Sequence, residues 1–407
     1  MAQEFGTVII GAGIGGGTVV ETLRDEGYSA TIALVGADPA APYYRPDLSK
    51  KVMLEGSDPA ESALRGEEWY PAHDVTTFFG TTVTELDAKN RSITLDDGNS
   101  LNYGQAILAT GSTPRTLDVP GADLGNIHTL RDAGDAVAIR SQFGQGSKVV
   151  IIGGGWVGLE VAAAAKNAGC EVTVVVRSAP PLRSVLGEEI GAYFEDLHRA
   201  NGISFVSDAE ATGFSGSKAV ESVQTTVGDL SADLVVVGIG ANPSIALAEA
   251  AELDTDGGII VDEHMRSSDP SILAIGDIAE ARNTLLNRRL RVEHWDNAVR
   301  QAEVAAATIT GGEMTTGDKT YDWQPYFYTD QFDLGMEYVG HGTSDDDVVI
   351  RGDKSSGEFI VFWTRGGTVI AAMNVNIWDV GDELRALIGK DVSAARLQDE
   401  SIELTEL

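Results

Sequence analysis

"VVIIGGGWVGLEVAAAAKNAGCEVTVVVRSAPPLRS", residues 149–184, decides the fold. A β-branched run leads into Gly153-x-Gly155-x-x-Gly158, then a helical stretch "GLEVAAAAKNAG" and a return strand "EVTVVV". A glycine triplet alone is weak evidence, but between a strand and a helix it marks a dinucleotide-binding turn. The first glycine permits the tight turn, the second lets a pyrophosphate approach the backbone, and the third brings helix and strand together. The free N–H groups of the helix then face the phosphates. The same arrangement stands at the N-terminus, where "TVIIGAGIGGGTVVETLRDEGYSATIALVGAD" (7–38) carries Gly11-x-Gly13-x-x-Gly16. Two such units in one chain predict two bound dinucleotides and an α/β fold with two Rossmann-like domains.

Working outward, "LNYGQAILATGSTPR" (101–115) and "LSADLVVVGIGANPS" (230–244) read as buried strands that end in glycine and a proline-containing link. "DPSILAIGDIAEA" (269–281) is a further apolar strand ending in Gly276-Asp277. After "TTGDKTYDWQPY" (315–326) the texture changes. "DVVIRG", "EFIVFWTR" and "GTVIAAMNV" read as short strands ahead of an amphipathic helix near 379–389, a small α+β C-terminal domain.

Bulk properties narrow the function. A chain of 407 residues exceeds what one core organises, so two or three domains are expected. With 62 acidic and 29 basic residues the formal net charge is −33, which argues against nucleic acid or an anionic membrane as main partner. No apolar run approaches the roughly 20 residues that cross a bilayer. "MAQEFGTVII" lacks a basic leader region and the chain has one cysteine, Cys170, so a cytoplasmic protein is expected. The six histidines are scattered without ligand spacing, and no metal site is expected.

Eight ordered segments carry a more specific likeness: "VIIGAGIGG" (8–16), "YRPDLSK" (44–50), "ILATGS" (107–112), "VIIGGGWVGLE" (150–160), "VDEHMRSSDP" (261–270), "LAIGD" (273–277), "VEHWDNAVRQA" (292–302) and "PYFYTDQFDLGMEYVG" (325–340). Over essentially the whole chain the sequence resembles the FAD-dependent NAD(P)H:ferredoxin reductases of the glutathione-reductase fold. The resemblance implies an FAD-binding domain in two pieces, 1–112 and 242–320, interrupted by an NAD(P)-binding domain at 113–241. A C-terminal α+β domain would follow at 321–407.

The resemblance also implies site residues. FAD would be held by Gly11, Gly13, Gly16, Asp38, Val83, Thr110, Gly111, Arg131, Gly276, Asp277 and Trp295, with Asp277 on the ribityl chain and Trp295 against the ring. Asp38 is the candidate for the adenosine ribose, because Ala37 occupies the usual acidic position. Lys50 would sit over the flavin's reactive edge, paired with Glu160. A cation there stabilises the charge that hydride brings to the ring. The helix after residue 294 would point its N-terminus at the flavin pyrimidine, where its dipole favours negative charge. NAD(P) would lie on Gly153, Gly155 and Gly158.

Thiol-using members of this fold carry cysteine near the flavin, but "PAAPYYRPDLSKK" (39–51) has none. Disulfide and peroxide reduction are therefore excluded, and electrons must leave for an external acceptor. The expected acceptor is a ferredoxin-like iron–sulfur protein or a rubredoxin, ultimately serving an oxygenase. "NRRLRVEHW" offers Arg288, Arg289 and Arg291 as a local docking patch on an otherwise acidic chain. At the end of the second unit Val176 replaces the acid that NAD-selective proteins use, followed by Arg177 and, six residues on, Arg183. Guanidinium attracts and forks onto a 2′-phosphate, which points to NADPH over NADH. Two other readings stay open: a reductase of quinones or small molecules, and a redox signalling protein similar to apoptosis-inducing factor. Monomer and homodimer are equally open.

Overall fold

The apolar runs ahead of the two glycine fingerprints become central strands of two separate sheets, each pairing in parallel with its neighbours on both sides. The computed structural model describes residues 3–311 and 319–407. Residues 312–318, which include the start of the sequence-predicted change of texture, lie outside them. The chain gathers into two compact units: Met1–Pro46, Asp58–Thr113 and Ala241–Trp323 form one, and Asp47–Ser57, Pro114–Gly240 and Gln324–Leu407 the other.

In the first unit, strand Gln3–Ile10 pairs in parallel with Ile32–Gly36 on one side and Ser100–Leu108 on the other. Val75–Phe79 extends the sheet beyond Ile32–Gly36, and Ile272–Ala274 adds to Ser100–Leu108, both in parallel. Val83–Asp87 and Ser92–Leu95 complete its seven strands in antiparallel order. Val8, Ile9, Ala33, Leu34, Ala106 and Ile107 are buried, as a parallel sheet covered on both faces requires. The helix Ile14–Asp25 opens with Gly15, Gly16 and Gly17, poor helix formers that packing overrides. A Cβ on Gly17 would come within 2.7 Å of the Pro42 side chain, and one on Gly15 would meet Ala298 of helix Trp295–Thr310 at 3.5 Å.

The second unit holds a five-stranded parallel sheet in the order Ser204–Ser207, Glu171–Val176, Lys148–Ile152, Leu234–Val237, Ile127–His128. Its fingerprint helix is Trp156–Asn167. The C-terminal region adds a five-stranded antiparallel sheet, ordered Tyr326–Gln331, Leu334–Gly340, Thr368–Val375, Glu358–Arg365, Asp347–Asp353. The first two of these strands come from "PYFYTDQFDLGMEYVG", which the sequence marked as a motif and not as a hairpin. Strand Glu358–Arg365 is apolar from Phe359 to Trp363 because both of its faces are covered there. Phe359, Val361 and Trp363 pack with Leu159, Leu186 and Phe194, while Ile360 and Phe362 pack with Leu384 and Leu387. The latter pair lies on helix Gly381–Leu387, inside the span expected for it. Among the described residues no helix is long and apolar enough to cross a membrane.

Candidate functional site

Each fingerprint gives its three glycines different work. Gly11 has φ +116°, and a Cβ there would lie 2.1 Å from the Ala109 carbonyl oxygen; Gly153 has φ +112°, with 2.2 Å to the Gly238 oxygen. A Cβ on Gly16 would lie 2.0 Å from the Gly11 oxygen, and one on Gly158 2.6 Å from the Gly153 oxygen. These positions are closed by the chain's own backbone. The middle glycines are open: a Cβ on Gly13 would meet nothing within 4 Å, and one on Gly155 only the Gly238 oxygen at 4.0 Å. Both are N-caps of twelve-residue helices and, as glycines, bring no side-chain cap of their own to the first N–H groups. An uncapped helix start beside space that a methyl group would fill suits a pyrophosphate.

The other first-unit candidates gather where strands end. Thr110 donates through Oγ1 to the Ser244 carbonyl at 2.7 Å, and the Gly111 carbonyl accepts from Ser244 N–H at 2.8 Å. Asp277 accepts from Ser112 Oγ at 2.6 Å. Gly276, at φ +77°, donates its N–H to Oε1 of the buried Gln301 at 2.7 Å. Trp295 opens its helix, with the Tyr44 ring edge-on at 5.0 Å. Its indole Nε1 is buried and meets no acceptor among the described residues. An orphaned ring donor and an open glycine cradle in one unit fit the FAD that the sequence implies. Asp38 is engaged within its own turn, accepting from Ala40 N–H at 3.0 Å and Tyr43 OH at 2.9 Å. Val83 is a buried residue at the start of its strand.

In the second unit the Lys50 ammonium meets the Glu160 carboxylate at 2.9 Å, with only 12% and 6% of the side chains exposed. Lys51, itself exposed, instead pairs with the buried Asp47. Two partners of Glu160 were not foreseen: Ser49 Oγ at 2.5 Å and Thr329 Oγ1 at 2.6 Å. The Tyr328 ring lies 4.9 Å from Lys50 Nζ. Ser49 stands in the quoted "YRPDLSK" and Thr329 in "PYFYTDQ", but no spacing rule links either to Glu160. His198 is fully buried between the Phe194 and Leu159 carbonyls, at 2.9 and 3.3 Å, and burial pushes its pKa down. Arg131 belongs to this unit and donates its backbone N–H to Asp135 at 2.8 Å, ahead of helix Ala133–Arg140.

Val176 is buried at the end of its strand and Arg177 beside it is 82% exposed, with Glu210 3.9 Å away. Arg183 donates to the Ala179 carbonyl at 3.0 Å and meets Glu188 at 3.4 Å. The three arginines of the expected docking patch divide. Arg288 and Arg289 are exposed on strand Arg288–Leu290, whereas Arg291 donates to the Asp277 backbone carbonyl at 3.0 Å.

The family model described as pyridine nucleotide-disulphide oxidoreductase matches residues 5–302, and one described as reductase C-terminal matches 326–407. The ferredoxin–NAD(+) reductase component of the anthranilate 1,2-dioxygenase system of Burkholderia cepacia is 38% identical, over 96% of this chain and 92% of that one. Putidaredoxin reductase of Pseudomonas putida is 36% identical over 100% and 97%. The crystal structure of a covalent putidaredoxin reductase–putidaredoxin complex aligns with a TM-score of 0.92 at 34% identity, covering 99% of this chain and 97% of that one. The chain belongs to the pyridine nucleotide-disulphide oxidoreductase family and, within it, to the FAD-dependent NAD(P)H:ferredoxin reductases.

Proposed function

We propose that this protein takes hydride from NADPH onto FAD and passes the electrons singly to a ferredoxin-like iron–sulfur protein that serves an oxygenase, in the cytoplasm. The observation that carries this reading is the pair of open, uncapped glycine cradles at Gly13 and Gly155 in one chain. Hydride moves only between atoms held in near contact, so donor and acceptor each need a fixed site. Bound FAD supplies the chemistry that accepts two electrons together and releases them one at a time. The only cysteine, Cys170, is buried and its thiol pKa is raised by burial, which suits delivery to an external carrier.

In this reading segments 1–112 and 242–320 hold FAD, 113–241 the nicotinamide nucleotide, and 321–407 forms the C-terminal domain. Gly11, Gly13 and Gly16 shape the FAD pyrophosphate site, with Thr110, Gly111, Gly276 and Asp277 along the cofactor and Trp295 donating from its indole. Lys50 is the cation that faces the flavin, and Glu160 keeps it oriented. Gly153, Gly155 and Gly158 take the NADPH pyrophosphate. Arg177 and Arg183 take its 2′-phosphate, with no acid at Val176 to repel it. Arg288 and Arg289 receive the iron–sulfur partner.

Anaerobic rapid mixing of the FAD-loaded protein with NADPH and with NADH, following flavin bleaching, tests this reading. NADPH should bind more tightly and reduce faster, and Arg177→Glu should reverse the order. Fast reduction by NADH with NADPH inert would make those arginines ordinary surface residues. Reduction by neither nucleotide would overturn the whole reading.

A further inference from the structure

We propose that Thr329 and Ser49 are positioning residues that hold the Glu160 carboxylate, and through it the Lys50 ammonium, at one fixed point. This rests on the reading of Lys50 as the cation that faces the flavin. The two oxygens of Glu160 are shared out. Oε1 accepts from Lys50 Nζ at 2.9 Å and Thr329 Oγ1 at 2.6 Å, and Oε2 accepts from Ser49 Oγ at 2.5 Å.

A lysine–glutamate pair alone leaves the carboxylate free to turn about its terminal torsion, which is broad and two-fold. One hydroxyl on each oxygen removes that freedom. Hydroxyls also suit the task because they are uncharged. A second cation on Glu160 would compete with Lys50, whereas a hydroxyl orients the acid and leaves the charge pairing to the lysine.

The Thr329 hydroxyl has its own direction set. Gln331 Nε2 donates to Thr329 Oγ1 at 3.0 Å, which leaves the single threonine proton for Glu160. Thr329 and Gln331 stand two apart on strand Tyr326–Gln331, so they share a face, and both are only 1% exposed. Just beyond this strand, the Phe332 ring sits edge-on to His198 at 5.3 Å, and His198 reaches the Leu159 carbonyl at 3.3 Å. The strand thus holds the fingerprint helix directly at Glu160, while Phe332 backs the His198 ring that reaches the neighbouring Leu159.

A loosened ammonium should affect the chemical step and leave nucleotide binding alone. In the FAD-loaded protein, Thr329→Val should lower the limiting rate of flavin reduction by NADPH on the order of tenfold, less than the roughly hundredfold of a full 1 Å misplacement. The half-saturating NADPH concentration should stay within about twofold, since no nucleotide contact is lost. The two-electron midpoint potential of the flavin should fall by up to about 30 mV, the equivalent of a tenfold factor. Thr329→Ser should restore both rate and potential, and Ser49→Ala should act in the same direction as Thr329→Val. Folding is checked by thermal melts of each variant, and Ser49→Ala carries the test if Thr329→Val fails to fold. If Lys50→Met slows reduction while Thr329→Val and Ser49→Ala do not, the positioning role is wrong and the reading of Lys50 stands. If Lys50→Met leaves the rate unchanged, both fall together. A loss that Thr329→Ser does not restore also overturns the proposal.

Discussion

Replacing Gly13 by alanine, beside Gly11 by alanine, separates the folding and binding roles of the first fingerprint. Gly13 has φ −83° and ψ −170°, extended backbone that alanine adopts without strain, and a Cβ there would meet nothing within 4 Å. In the FAD-free protein Gly13→Ala should therefore be close to neutral, the gain of about 0.4–1 kcal/mol from a less free unfolded chain being offset by the poorer helix N-cap that alanine makes. Gly11 has φ +116°, and its Cβ would fall 2.1 Å from the Ala109 oxygen and 2.5 Å from the Ala109 carbonyl carbon. That clash is with the strand exit beside it, and a side chain cannot swing away to relieve it. Gly11→Ala should cost about 1–3 kcal/mol in backbone strain and a similar amount in overpacking. On the binding side the order inverts. A methyl on Gly13 would occupy the space where a phosphate oxygen meets the helix N–H groups, and losing one charge-assisted bond costs about 1.5–3 kcal/mol, roughly 10- to 150-fold in affinity. The assay is urea unfolding of both FAD-free variants by tryptophan fluorescence, then FAD titration of whatever remains folded. Gly13→Ala should be as stable as the parent and bind FAD weakly. A Gly13→Ala protein that binds FAD as tightly as the parent, or that is as unstable as Gly11→Ala, would refute the division of labour.

Three other outcomes follow from particular contacts. Lys50→Met leaves the buried Glu160 carboxylate with hydroxyl donors only, which should cost about 3 kcal/mol in urea unfolding, and Glu160→Gln in the same chain should recover much of it. His198 is kept below its ordinary value of 6.5 by burial, so the unfolded chain binds a proton that the folded chain does not. Stability linked to His198 should be fully present above about pH 6.5 and decline as pH falls below it, by up to about 1.4 kcal/mol per pH unit, and His198→Asn should flatten that slope in unfolding measured from about pH 7 to 5.5. Arg288→Glu with Arg289→Glu should raise the ferredoxin KM and weaken its salt dependence, whereas Arg291→Ala should leave that KM alone and loosen FAD, because Arg291 holds the Asp277 carbonyl.

Local patterns carried the fold a long way. Strand, glycine turn, helix and return strand are contiguous in sequence, and the structure forms them as the pattern requires at both 7–38 and 149–184. Long-range pairing was another matter. Ser49 and Thr329 reach Glu160 from 111 and 169 residues away, and nothing about an isolated hydroxyl announces a buried carboxylate as its partner. The hairpin that delivers Thr329 turns at Phe332 with φ +55°, so no glycine or asparagine signalled it. Charge reading had a similar limit. The run 288–291 shows three arginines, but the sequence does not say that Arg291 is engaged by a backbone carbonyl. Asp38 is likewise tied to Ala40 and Tyr43, a local turn that an acid near the strand end can form without any ribose.

The most direct test of the account is electron stoichiometry in a single turnover. FAD-loaded protein reduced with one equivalent of NADPH would be mixed anaerobically with an excess of an oxidised [2Fe–2S] ferredoxin, with flavin and cluster followed separately. The account predicts that each reduced flavin reduces two ferredoxin molecules in successive one-electron steps, and that the rate falls as salt rises. A flavin that NADPH reduces readily but that yields no electrons to any ferredoxin or rubredoxin, while reducing a quinone rapidly, would contradict it.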